Sequence, residues 1–392
     1  MTINRPVGAL EGVRIIDLTT VLMGPLATRM LADHGADVIR VEDPGSEAYA
    51  ADQRLNGVSA IALNTQRNKR RVGLDLKSVA GLEAMQDLIG TADVVVSNLR
   101  AGALERLGLD PDSLLAANPT LIYCIANGYG AEGPYADRAA YDDAIQALSG
   151  LAALHGRVTG EPRFVPSAIV DKIMSLNIVQ AVMAALLHRH QTGNGQAIRV
   201  PMFETMVAFN MVEHLRGAAF DPPRGEVGYP RVLSPNRRPY ECADGWICLL
   251  PYNTNQWRSF FALVGRPELI KDEMFASHDA RVRNADDLYG FVAEVAPMFS
   301  IDEWMSRCDE HSIPCNPVLD LADLLHDPHI EAVGLIESHE HPDEGPYISI
   351  SDPIAYGEMS TALRRHAARP GEHTAEVMAE IGWTAEQIAT LQ

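Results

Sequence analysis

The chain has 392 residues, with 32 basic and 52 acidic side chains and a formal charge of −20. So acidic a surface argues against nucleic acid as the main partner, because phosphate backbones need a dominant basic face. With 47 % hydrophobic residues and no low-complexity tract, the chain is expected to be globular and to fill about two or three domains.

Val13 to Leu18 reads as a strand, Leu26 to Asp33 as a helix closed by Gly35, and Asp37 to Glu42 as a second strand ended by Pro44-Gly45. This is a β-α-β unit. The alternation continues with Arg71 to Leu76 (strand), Val79 to Gly90 (helix), Asp93 to Ser97 (strand), Gly102 to Leu107 (helix) and Leu121 to Ala126 (strand). Such alternation implies an α/β fold with a parallel, doubly wound sheet. Helices are expected over Asp142 to Leu151, Asp171 to His190 and Phe203 to Arg216, with a strand from Ala197 to Pro201. The aperiodic, proline- and glycine-rich stretch from Phe220 to Pro239 marks a linker. Beyond it, Tyr240 to Leu250 holds two short strands around Ala243-Asp244-Gly245, and helical patterns follow to about Cys308, so a smaller domain begins there.

The apolar stretch from Ile173 to Leu187 is shorter than the roughly 20 residues of a bilayer crossing, so no membrane partner is expected. Arg5, Glu11, Arg14 and Asp17 interrupt the apolar core that a signal peptide would need, and a cytoplasmic location is expected. The five cysteines form no metal or redox spacing and read as reduced, mostly buried thiols. The histidines form no ligand pattern either, since His188 and His190 point to different helix faces, and no metal is expected.

A nicotinamide dinucleotide fits poorly. The loop Thr19-Thr20-Val21-Leu22-Met23-Gly24-Pro25 has one glycine followed by a proline without an N–H, not the three glycines that let backbone approach a pyrophosphate. Arg67-Asn68-Lys69-Arg70-Arg71 reverses the sign of the surrounding charge, and Arg100 and Arg106 follow the next strand. Such a cluster suits a small ligand with several phosphates, or else a solvated turn pairing with carboxylates. Asp171 lies in apolar surroundings near the start of a long helix. It reads either as a first-turn aspartate favoured by the helix dipole or as a carboxylate held dry to act as nucleophile or base. Tyr141-Asp142-Asp143 offers a second acidic group ahead of a helix, with the same capping alternative.

An ordered string of short motifs resembles one family across nearly the whole chain. It includes Asp17-Leu18-Thr19, Gly24-Pro25, the run from Leu31 to Glu42, Asn68-Lys69-Arg70, Leu74-Asp75-Leu76, Asn98-Leu99-Arg100-Ala101-Gly102 and Arg106-Leu107-Gly108. Gly128-Tyr129-Gly130, Ala140-Tyr141-Asp142, Thr192-Gly193-Asn194-Gly195-Gln196, Ala243-Asp244-Gly245, Ile313-Pro314-Cys315-Asn316-Pro317-Val318, His326-Asp327-Pro328 and Gly371-Glu372-His373-Thr374 follow in order. By these motifs the chain resembles the class III CoA-transferases, the carnitine dehydratase or formyl-CoA transferase family.

The resemblance implies a Rossmann-like large domain from both chain ends, here 1–219 with 335–392, and a linker and small α+β domain over 220–334. It also implies an interlocked homodimer. Asp171 matches the family's catalytic aspartate, with Asp142 as an assisting acid and Tyr141 beside it. Coenzyme A, as substrate, is expected to meet Val21, Arg40, Asn68, Lys69, Arg70, Asn98, Leu99, Arg100 and Arg106, and a carboxylic acid is the expected acceptor. Backbone N–H groups near Asp171 or around Gly128 to Gly130 are expected to serve developing oxyanions. Lys172 is expected to point to the surface. Racemases of the family carry a histidine where this chain has Tyr141, and formyl-CoA transferases a glycine-rich loop where it has Pro230 to Pro235, so neither racemisation nor oxalate specificity is the first expectation. An acyl-CoA epimerase or isomerase, and a CoA-binding subunit without chemistry, are the alternatives.

Overall fold

The computed structural model describes residues 8–44 and 57–391; Gly45, expected to end a strand, lies outside the described residues. In chain order the elements begin β1 (Arg14–Leu18), α1 (Met23–Asp33), β2 (Asp37–Glu42), α2 (Ala60–Thr65), β3 (Lys69–Gly73) and α3 (Val79–Gly90). They continue with β4 (Val94–Ser97), α4 (Ala101–Leu107), α5 (Pro111–Ala117), β5 (Ile122–Asn127), α6 (Asp142–Leu148) and α7 (Leu151–Thr159). Then come α8 (Ile169–Thr192), β6 (Gln196–Pro201), α9 (Met202–His214), β7 (Tyr240–Glu241), β8 (Trp246–Leu249) and α10 (Thr254–Leu263). The chain closes with α11 (His278–Arg283), α12 (Ala285–Val295), α13 (Ile301–Glu310), β9 (Cys315–Pro317), α14 (Pro328–Val333), β10 (Ile336–His341), β11 (Gly345–Ile350), α15 (Thr374–Glu380) and α16 (Ala385–Ala389).

Two compact units result, one from 1–145, 166–206 and 328–392, the other from 146–165 and 207–327. The sequence reading placed the boundary at 219–220, whereas residues 146–165 and 207–219 cluster with the second unit and 328–334 with the first. In the first unit six strands form a parallel sheet in the order β3-β2-β1-β4-β5-β6. Val94, Val95 and Val96 are wholly buried, as expected for a strand covered on both faces. The edge strand β3 is capped by the C-terminal segment, where His373 N–H donates to Arg71 O at 2.9 Å and Thr374 Oγ1 accepts Gly73 N–H at 3.0 Å. The second unit holds the antiparallel sheet β7-β8-β9 over a core including Trp257, Phe260, Phe261, Tyr289 and Trp304.

α8 has 24 residues and is long and apolar enough to cross a membrane by length and composition. Its buried positions Val170, Met174, Ile178, Val182 and Ala185 recur every three or four residues, and the helix packs against α1, β5 and β6 along that one face. The five cysteines are free thiols, and all but Cys248 are buried.

A buried charge network joins the first three strands. Asp17, fully buried in β1, accepts Thr19 N–H and Oγ1 on one carboxylate oxygen at 2.9 and 2.5 Å, and Thr28 Oγ1 and Lys69 Nζ on the other at 2.6 and 3.0 Å. Lys69, equally buried, also donates to Pro25 O at 2.8 Å, Thr28 Oγ1 at 2.8 Å and Gln66 Oε1 at 3.1 Å. Arg40 Nη1 donates to Thr19 O at 3.0 Å and lies 3.8 Å from Asp17. Burial alone would raise the Asp17 pKa, yet Lys69 and Arg40 hold it at about 2, so its charge persists. Burial outweighs the same attraction at Lys69 and brings its pKa down to about 7. Lys69→Met leaves the Asp17 carboxylate short of its principal cation and is expected to cost about 3–5 kcal/mol of unfolding free energy in denaturant titrations. A loss below about 1 kcal/mol would show that Arg40 and the two threonines suffice.

Candidate functional site at the carboxyl edge of the sheet

Strand order reverses between β1 and β4, and in open α/β sheets the crevice beyond the carboxyl ends at such a reversal is where ligands bind. The loops leaving β1 and β4 are clasped there. Asn98 Oδ1 accepts Thr20 N–H at 2.9 Å and its Nδ2 donates to Thr20 O at 3.0 Å. Val21 takes a left-handed φ of 67°, a conformation costly for a β-branched residue, and is 52 % exposed. Gly24, just inside α1, has no room for a Cβ, which would fall 2.2 Å from Thr19 Cβ. Leu99 is half-buried against the main core, and its N–H donates to Ser97 Oγ at 3.2 Å. Arg100 is the residue before α4 and Arg106 lies in its last turn. Both are exposed, and their guanidinium groups have no hydrogen-bond or ion-pair partner among the described residues.

Asp171 is anchored to the same edge by the helix that carries it. One turn along α8, Ser175 Oγ donates to Met23 O at 2.7 Å, at the start of α1. Asp171 stands in the first turn of α8, half-buried, and its own N–H donates to Asp142 Oδ2 at 3.0 Å. Asp142 thus satisfies a helix N–H that the helix itself leaves free. Asp171 therefore does occupy a first helical turn, and burial, and after it the Asp142 charge, pushes its pKa up to about 6. Tyr141, next in chain, is 69 % exposed. Lys172 is exposed and donates to Ser167 Oγ at 2.7 Å.

The basic run behaves differently from the expectation for a phosphate site. The parallel register sets Lys69 against Val38 and Arg70 against Ile39, at the amino end of β3, away from the carboxyl edge. Every side chain in it is spent within the fold. Arg67 pairs with Asp33 at 2.9 Å, Arg70 with Asp37 at 2.6 Å, and Arg71 with Glu42 at 2.7 Å. Asn68, at φ 62°, donates to Asp33 Oδ1 at 2.8 Å and accepts the N–H groups of Arg364 and Arg365 at 2.6 and 2.9 Å. Arg40 is buried in the Asp17 network. The run is a buried turn at Arg67-Asn68 leading into β3, neutralised by its neighbours rather than solvated.

Two residues at this edge went unread in the sequence. Glu204, in the first turn of α9, accepts Gly130 N–H at 2.8 Å, which takes up one of the N–H groups expected to face an oxyanion. Asn127, the last residue of β5, has a buried Oδ1 with no partner among the described residues. Neither had a motif to mark it.

If Asp171 must be ionised for turnover, the acid limb of kcat/KM falls near pH 6 and activity is lost as pH drops through it. Asp142→Asn keeps an oxygen for the Asp171 N–H but removes the like charge, so the limb should move to lower pH while staying above the ordinary aspartate value of about 4, because burial remains. A limb that stays put or moves up contradicts the coupling.

Comparison with known proteins identifies the family. A family model described as "CoA-transferase family III" matches residues 10–374. A succinate–glutarate CoA-transferase of Agrobacterium fabrum is 33 % identical, with 97 % of each chain aligned. A formyl-CoA:oxalate CoA-transferase of Streptomyces avermitilis is 30 % identical over 98 % of both chains. Among solved structures, a CAIB/BAIF family protein from Brucella suis superposes with a TM-score of 0.80 at 30 % identity, over 96 % of this chain and 100 % of that one. With the parallel six-stranded sheet and a match spanning nearly its full length, the chain belongs to CoA-transferase family III.

Proposed function

We propose that the protein moves coenzyme A from an acyl-CoA thioester to a carboxylic acid, with Asp171 as the covalent nucleophile. The observation that carries this reading is the Asp171 carboxylate itself, half-buried beside Asp142 at the edge where the sheet order reverses. The Asp171 oxygen attacks the thioester carbonyl, giving an aspartyl anhydride and CoA thiolate. The thiolate then attacks the aspartyl carbonyl, releasing the first acid and leaving an aspartyl-CoA thioester. The acceptor carboxylate attacks that thioester to form a second anhydride, and the freed thiolate opens it at the acceptor's carbonyl, giving the new acyl-CoA and restoring Asp171. No net proton or electron is consumed. Holding the thiolate within reach between attacks is where the enzyme gains most, since each return is intramolecular, and keeping water from the anhydrides protects both intermediates.

In this reading Val21, Asn98 and Leu99 shape the approach of CoA, and Arg100 and Arg106 offer their unpaired guanidinium groups to its phosphates. Asn68, Lys69 and Arg70 support the sheet rather than touch the ligand, and Arg40 fixes the loop after β1. The names of the relatives make short dicarboxylic acids the first acceptor class to try. A homodimer fits the exposed Leu176, Met183 and Leu187 along α8, apolar groups that a second copy can cover. The two neighbouring carboxylates also favour a second reading, α-proton exchange of an acyl-CoA with Asp171 as base.

Incubation with an acyl-CoA followed by hydroxylamine should leave a hydroxamate on the peptide containing Asp171, and Asp171→Ala should lower transfer by about a thousandfold or more. An unmodified Asp171 in an enzyme that still transfers CoA would falsify the covalent route. Deuterium uptake at the α-carbon without any acceptor acid would instead select the proton-exchange reading.

A further inference from the structure

The second unit contains a buried cation with no counter-ion among the described residues. Arg281, in α11, is 4 % exposed. Its Nη1 donates to Phe275 O and its Nη2 to Thr254 Oγ1, both at 2.8 Å, while its Nε is buried and has no partner among the described residues. Burial depresses its pKa, and no neighbouring charge offsets that effect. Beside it a cavity of about 20 Å³ is lined by Arg231, Tyr252, Trp257, His278 and Tyr289 as well as Arg281. Arg231 donates through Nε to Tyr289 Oη at 2.8 Å and sets its guanidinium 4.6 Å from the centre of the Tyr252 ring. Neither arginine pairs with a carboxylate among the described residues, and no acidic side chain lines the cavity.

Burying an unpaired charge is costly, so a protein of charge −20 that buries Arg281 beside a half-buried Arg231, with no carboxylate on either among the described residues, has left a place for something else. The cavity has room for about one water-sized group. We infer that it binds one small monovalent anion, a halide or the head of a short carboxylate, held by the joint field of the Arg281 and Arg231 guanidinium groups that line it. Such an anion would serve as a fixed component of the second unit, neutralising its interior as an aspartate would elsewhere.

The test uses the full-length protein in buffer free of small anions, with ionic strength held constant by sodium benzenesulfonate, whose anion is too large for the cavity. Titration with sodium chloride, and separately with sodium formate, should raise Tm along a saturating curve by several degrees, and Arg231→Gln and Arg281→Met should abolish the rise. A response to chloride alone identifies a halide site, and one that includes formate a carboxylate site. Crystals soaked in sodium bromide should show an anomalous peak between the two arginines, which decides the matter even if Arg281→Met fails to fold. The inference is overturned by a Tm that does not saturate, by an unchanged response in Arg231→Gln, or by a cavity without bromide.

Discussion

The charge on Asp17 is the constraint around which the carboxyl edge is built. At 3.0 Å its attraction to Lys69 is worth roughly 5 kcal/mol at an effective dielectric of about 20, and removing each ion from water costs a comparable several kcal/mol. The pair therefore adds little net stability. What it supplies is position, because Thr19 N–H, Thr19 Oγ1, Thr28 Oγ1 and Lys69 Nζ together give the two carboxylate oxygens four donors at fixed places. Thr19 so fixed excludes any side chain at Gly24, which lets α1 start close behind β1. The start of α1 in turn receives Ser175 through Met23 O, so the helix bearing Asp171 is referenced to the same buried charge.

Asp171 sits where two opposed effects are balanced. A carboxylate in the first turn of a helix gains from the positive end of the dipole, by about 0.3–1 kcal/mol where exposed. Burial and the Asp142 charge work the other way and prevail, moving the group up to about 6. A carboxylate there is still mostly ionised at neutral pH yet more basic than a solvated one, and a better nucleophile for it. Asp142 achieves this without competing for space, since it spends one oxygen on the helix N–H rather than on a cation that would have lowered the pKa of its neighbour.

Much of the fold could be read from the alternation of elements. Val79–Gly90 and Asp37–Glu42 fall where caps and punctuation put them, and Asp171 and Asp142 were singled out by type and place. Register and pairing were harder. Arg67 to Arg71 looks like a phosphate cradle in one dimension because its partners Asp33, Asp37, Glu42 and Glu376 are 29 or more residues away, or at the other end of the chain. The claim of the second unit on 146–165 is likewise non-local, resting on contacts such as Asn210 Nδ2 to Ser149 O at 3.0 Å. Glu204 and Arg281 carry no motif at all, because what distinguishes them is the absence or presence of a partner in space.

The neutralised run also bears on the proposed approach of a polyanion to an acidic protein. A surface of net charge −20 repels CoA phosphates at long range, though at physiological salt that repulsion fades beyond about 8 Å. Five cationic side chains, Arg40 among them, are already committed to carboxylates inside the fold and contribute almost no outward field. In the proposed reading, attraction at short range comes from the few guanidinium groups left unpaired at the carboxyl edge among the described residues, of which Arg100 stands next to the clasp formed by Asn98. The division of labour is physical: buried pairs hold the edge in place, and only the cations with no internal partner are free to recognise what arrives there.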